Sequence, residues 1–107
     1  MIKQDRGTPF SVTNSGTSVA LATQAGSSNV IRFVTDIAAS SSGTMGTWAV
    51  YAGNSGGSDI LLWTGNGMVN YSFVEPLVGL VGGSVYVSAN GTVTTYANLA
   101  GFSINAS

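Results

Sequence analysis

The feature that most constrains this chain is a regular alternation of short β-branched and aromatic runs with turn-forming clusters, spaced about eight to twelve residues apart. The runs are Phe10 to Thr13, Thr17 to Thr23, Val30 to Ser40, Thr47 to Ala52, Asp59 to Thr64, Met68 to Phe73, Ser84 to Ala89, Thr92 to Ala97 and Phe102 to Ile104. Inside them apolar residues recur at every second position, as Val85 and Val87 do against Tyr86 and Ser88. That is the period of a strand, and no stretch carries the spacing of a helix. Strands this short cannot bury an apolar face alone, so they must stack as two sheets or close into a barrel. The expected fold is all-β: an antiparallel β-sandwich, jelly-roll-like, of about eight to nine short strands. The Cys, Trp, Cys framework of an immunoglobulin domain is absent, since the chain has no cysteine.

Two Asn-Gly pairs punctuate this pattern. Asn90-Gly91 joins Ser84–Ala89 to Thr92–Ala97, and Asn66-Gly67 joins Asp59–Thr64 to Met68–Phe73. Both central positions of a type I′ turn need positive φ, which Gly takes freely and Asn tolerates, so each pair predicts a β-hairpin. In the longest run, Ile31, Phe33, Thr35 and Ile37 are expected on one face, with Val30, Arg32, Val34 and Asp36 on the other. Asn14 to Gly16 and Asn98 to Gly101 read as turns. Val74 to Gly83 is apolar, yet Glu75-Pro76 interrupts pairing and its glycines allow bends. It is expected to be a buried loop that closes one end of the sandwich or lies in a subunit contact.

Residues 1–9 read as an N-terminal arm and 10–107 as a single β-sandwich domain. Three of the seven charged residues, Lys3, Asp5 and Arg6, fall in the first six positions. With Ile2 and Phe10 as apolar anchors they suit a segment that orders on a partner, the charges setting register. Charged residues make up 7% of the chain, against about 25% in ordinary domains. The surface is therefore built from Ser, Thr, Asn and Gly, with little charge repulsion to keep copies apart, and a homo-oligomer is expected. A net charge of −1 gives no field to attract nucleic acid or anionic lipid. No apolar run reaches the roughly 18 residues that span a bilayer. The first residues lack the apolar core of a signal peptide, so synthesis in the cytoplasm is expected.

Histidine and cysteine are both absent, which removes the usual general base, the thiol nucleophile and most transition-metal ligands. The acids are Asp5, Asp36, Asp59 and Glu75, too scattered for the carboxylates that calcium demands. A glycosidase pair would have to come from the same few residues. The Gly-rich stretches GNSGGSD and VGLVGGS lack the Walker lysine and open no helix. No catalytic, metal or cofactor site is expected. The tryptophans and tyrosines read as core and interface residues, with a sugar-stacking platform as the alternative use.

The segments VTDIAAS, TWAVYAG, ILLWTGNG and FVEPLVGLVGGSVYVSANGTVTTYA, within Val30 to Ile104, resemble small phage virion proteins: capsid decoration (cement) proteins and related tail-associated β modules. The resemblance implies a β-sandwich homotrimer on the outer surface of a bacteriophage capsid, a structural protein that stabilises the shell without catalysis. On that resemblance Ile2, Lys3, Asp5, Arg6 and Phe10 would contact the major capsid protein, and Trp63, Leu77, Val78 and Leu80 would form the oligomer interface. The alternative is a carbohydrate- or receptor-binding module of a tail fibre. There the loops SSSGTMG and GNSGGSD would carry the ligand contacts, and an exposed tryptophan would stack on sugar.

Overall fold

A computed structural model describes residues 7–17, 20–41, 47–54, 56–66, 68–89 and 94–105. Among these residues eight strands follow one another: β1 (Thr8–Gly16), β2 (Ala22–Gln24), β3 (Val30–Ser41), β4 (Thr47–Ala52), β5 (Ile60–Asn66), β6 (Val69–Val78), β7 (Val85–Ala89) and β8 (Thr95–Asn105). They form two four-stranded antiparallel sheets, ordered β1-β8-β3-β6 and β2-β7-β4-β5. Each strand of the first half pairs with its mirror from the second: β1 with β8, β2 with β7, β3 with β6, β4 with β5. The chain is thus one long ribbon folded at its middle and rolled up, which is the jelly-roll order.

Rolling the ribbon explains why both hairpin expectations fail. Among the described residues only β4 and β5 are both consecutive in sequence and paired in space. Strands β7 and β8 belong to opposite sheets, as do β5 and β6. The connections carrying Asn90-Gly91 and Asn66-Gly67 therefore cross between sheets. Gly67, Asn90 and Gly91 themselves lie outside the described residues. A positive-φ dipeptide favours a reversal of the chain, but the partner of each strand is settled by which pairing buries more apolar surface.

The core lies between the sheets. Val34, Ile37, Ala39, Ala97 and Leu99 come from one, and Trp48, Val50, Val85, Val87 and Ala89 from the other, all at most 6% exposed. Full burial of a Val, Leu or Ile side chain contributes roughly 1.5–3 kcal/mol each, so this alternating set is the main source of stability. Two expected turns are strand instead. Asn14 to Gly16 pairs with Tyr96 and its neighbours, and Asn98 to Gly101 runs through β8 between β1 and β3. A strand paired on both sides satisfies its backbone groups more completely than a turn would.

A bulge at Thr35 decides the faces of β3. Val34 pairs with Gly101 but Asp36 with Ala100, so β3 carries one extra residue there. The parity of the strand switches across it. Val34 and Ile37 both point inward, at 0% and 1% exposure, which corrects the expectation that Val34 and Ile37 lie on opposite faces. On β6 the chain bulges more widely: Leu77 pairs with Val34 and Ser72 with Asp36, leaving 73–76 unpaired opposite Thr35. Glu75-Pro76 does interrupt pairing as expected, but only locally, on an edge strand where proline is tolerated. Past β6, the Gly79 and Gly82 N–H groups donate to the carbonyls of Arg32 and Val30 at 2.8 and 2.9 Å. The second half of the expected apolar loop thus closes one end of the sandwich, but its first half is strand and the segment is not buried, with Val74, Val78 and Val81 all exposed.

Candidate interaction surface

The edges of the two sheets, β5 and β6, meet along one side of the sandwich. Trp63 of β5 stacks on Tyr71 of β6 with ring centroids 5.5 Å apart, meets Phe73 edge-on at 5.2 Å, and touches Trp48 of β4 at 5.3 Å. Trp48 is 2% exposed, because its ring lies over Gly65, where a Cβ would come within 2.7 Å of it. Four aromatic rings thus stitch the sheets together at an edge that backbone hydrogen bonds leave open. Trp63, expected at an oligomer interface, serves this internal seam, and Leu77 packs against the same core. Trp48 is thus enclosed, while Trp63 is half-buried among these rings. Of the other two expected interface residues, Val78 is 49% exposed and Leu80 is half-buried in the closing turn, its carbonyl accepting from Gly83 N–H at 2.9 Å.

The bulge at Thr35 gives the outer face of the β1-β8-β3-β6 sheet two halves. Ahead of it, Phe33 pairs with Phe102 and Val78, and Phe102 with Pro9. Phe33 and Phe102 stack at 4.9 Å and 7°, outside the core cluster. This row, with Ile31 opposite Ile104 beside it, makes an apolar stripe across all four strands. Val74, in the β6 bulge, and Val81, in the turn after β6, are also exposed, at 97% and 60%. Arg32 is turned the other way, donating to Ser103 Oγ at 2.6 Å and twice to the Ala25 carbonyl. Beyond the bulge the same face is polar. Asp36 accepts from Ser72 Oγ and from Thr35 Oγ1, and these two bonds, Ser72's first, hold its carboxyl below the usual range. The expectation that Arg32 and Asp36 share a face is thus overturned by the parity switch.

At the closed end, loops 25–29, 53–59 and 79–84 converge. Asp59 Oδ2 accepts from Tyr86 Oη at 2.6 Å and Oδ1 from the Asn54 N–H at 2.9 Å, and Gly56 N–H donates to Asn54 Oδ1 at 3.0 Å. The Tyr86 and Asn54 bonds hold the Asp59 carboxyl low. Burial, then the bond to Asp59, pushes the Tyr86 hydroxyl up to about 12. Tyr51 stacks on Tyr86 at 5.5 Å. In the GNSGGSD loop, both oxygens of the carboxylate are thus committed to the fold. The other expected ligand loop, SSSGTMG, lies outside the described residues from Ser42 to Gly46. Among the described residues no three His, Cys, Asp or Glu side chains converge as metal ligands do.

Ile2, Lys3, Asp5 and Arg6 also lie outside the described residues. Phe10, expected as an apolar anchor of the arm, sits in β1 opposite Gly101 and packs, partly buried, against the core. Strand β1 begins at Thr8, inside the expected arm, and Pro9 is already paired with Phe102. Sequence reasoning missed the outer stripe because alternation alone places Phe33 inside, and only the bulge moves it out. In comparisons with family models, with curated proteins and with solved structures, nothing matches this chain.

Proposed function

We propose that this chain is a non-enzymatic structural protein of a phage virion, a capsid decoration protein that works as a homo-oligomer and binds the major capsid protein through its N-terminal arm. On a chain that also exposes Val74 and Val81, the observation that carries the reading is the apolar stripe Pro9, Phe102, Phe33 and Val78. Its charge-free centre is the surface a second copy would cover, because a chain with 7% charged residues has little else to hold like surfaces apart. Pro76 and the 73–76 bulge disrupt the β6 edge, so along that edge copies would meet through side chains rather than backbone pairing. Ile2, Lys3, Asp5 and Arg6 then supply the contact to the shell, and several arms on one oligomer bind its lattice with avidity.

The test is solution mass by light scattering for the full chain, for Val74→Asp/Val78→Asp, and for a variant lacking residues 1–6, followed by mixing each with purified capsids that lack the protein. The reading requires a trimer for the full chain, a smaller folded species for the double variant, and shell binding lost when residues 1–6 are removed. A monomeric full chain that ignores shells would overturn it.

A further inference from the structure

Beyond the bulge, the outer face of the β1-β8-β3-β6 sheet holds a second feature that assembly does not use. Thr13, Asn98, Ala38 and Asn70 stand in one row across the four strands, because Thr13 pairs with Asn98, Asn98 with Ala38, and Ala38 with Asn70. Tyr96 and Ser40 pair in the adjacent row. Together with Val69 and the exposed Met68, these residues line an open cleft of about 400 Å³, at the lower end of the range for small-molecule sites. The small Ala38 makes the dip, with one asparagine a strand spacing away on each side, so the two amides are separated by roughly 10 Å.

The chemistry of the lining is specific. Ser11 Oγ and Thr13 Oγ1 both donate to Asn98 Oδ1, at 3.1 and 3.0 Å. This fills the acceptor sites of that carbonyl, fixes the plane of the amide and leaves its two N–H donors to face away from β1, over Ala38. Tyr96 is 59% exposed, and it is the one tyrosine whose ring has no aromatic partner among the described residues. No charged side chain lines the cleft. Asp36, one row further along β3, has its oxygens engaged by Ser72 and Thr35. A purely apolar ligand would leave the amides of Asn98 and Asn70 covered and unpaired, which costs about 1–3 kcal/mol for each buried group. An anion would find no cation. A ligand with hydroxyls round its rim and a C–H face satisfies both the amides and the ring.

We propose that this cleft binds a neutral saccharide of one or two rings, the Tyr96 ring lying against the C–H face of the sugar and the Asn98 and Asn70 amides bonding to its hydroxyls. The site goes beyond the assembly reading and is independent of it, since the apolar stripe lies on the other side of the bulge.

The experiment is a titration of the ¹⁵N-labelled full chain, followed by its amide resonances, with glucose, galactose, mannose, N-acetylglucosamine, their common disaccharides, and glucuronate as a charged control. At least one neutral sugar should shift the Ala38, Asn70, Tyr96 and Asn98 amides saturably, and more strongly than glucuronate does. Tyr96→Ala should weaken that response by at least about tenfold. Ala38→Leu, which fills the dip from the solvent side and leaves the core untouched, should do the same and serves as the second variant if Tyr96→Ala fails to fold. Saturable shifts for no neutral sugar, shifts centred elsewhere, or a response that survives both folded variants would overturn the proposal. Any of these outcomes leaves the light-scattering and capsid-binding results unaffected.

Discussion

Replacing Gly101 by alanine probes the bulge on which both surfaces depend. Gly101 sits in β8 with β1 on one side and β3 on the other, opposite Phe10 and Val34. A Cβ built there meets the Phe33 carbonyl oxygen inside contact distance, the Phe33 carbonyl carbon at 2.9 Å and Val34 Cα at 3.0 Å. All three obstacles are backbone, so no side chain can swing aside, and the β3–β8 ladder itself must part beside the Thr35 bulge. Overpacking a well-filled site costs typically 1–3 kcal/mol, and the rigidity of these neighbours puts Gly101→Ala at the top of that range, about 3 kcal/mol. At about 4 °C per kcal/mol for a domain of this size, the melting temperature should fall by roughly 12 °C. Gly57→Ala is the control: its new Cβ would have the Asn54 amide nitrogen as nearest neighbour, at 3.6 Å, and stability should hold or rise slightly through reduced freedom of the unfolded chain. Urea unfolding followed by tryptophan emission, at one fixed protomer concentration, measures both. A Gly101→Ala variant within about 1 kcal/mol of the parent would refute the account of the bulge.

Other perturbations test the seam and the closed end. Trp63→Ala should cost about 2–4 kcal/mol by urea unfolding, somewhat less than full burial implies, and should shift the emission of Trp48 to the red as its cover opens; a loss below about 1 kcal/mol would remove the seam from the core. The Tyr86 hydroxyl is pushed up from 10.0 to about 12, so the folded state favours its neutral form. Stability from this group is present below about pH 10 and lost as pH rises from there towards 12. Tyr86→Phe should therefore be less stable at neutral pH yet lose less between those limits, and an equal alkaline loss in both proteins would show that Tyr86 is not responsible. The Asp59 carboxyl is held low, so its contribution is present above the usual carboxylate range and lost as pH falls through its folded value. Asp59→Asn should flatten the acid limb of a denaturation series, and an unchanged limb would refute the role given to Tyr86 and Asn54.

Much of the fold was legible in the amino-acid order, because it depends on local chemistry. Alternation in Val85 to Ala89 and Trp48 to Ala52 matches buried and half-exposed positions residue by residue, since a pleated strand turns successive side chains to opposite faces whatever it pairs with. The interruption at Glu75-Pro76 was legible for the same reason: proline has no N–H to give a neighbour. The two Asn-Gly turns misled because a turn dipeptide sets the local path of the chain but not which sheet the next strand joins. That choice belongs to the ribbon as a whole, where β8 finds its partners in β1 and β3.

The candidate surfaces needed the tertiary structure for a related reason. An extra residue at Thr35 cannot be seen until β3 is laid against β8, yet it moves Phe33 outward, brings Val34 inward and separates Arg32 from Asp36. The row Thr13, Asn98, Ala38 and Asn70 joins four positions far apart in the chain. Composition and strand period determined that this chain would be a two-layer β protein with a nearly uncharged surface. Strand pairing alone decided which residues share a face, because neighbours across a sheet are set by register, a long-range property that no local segment encodes.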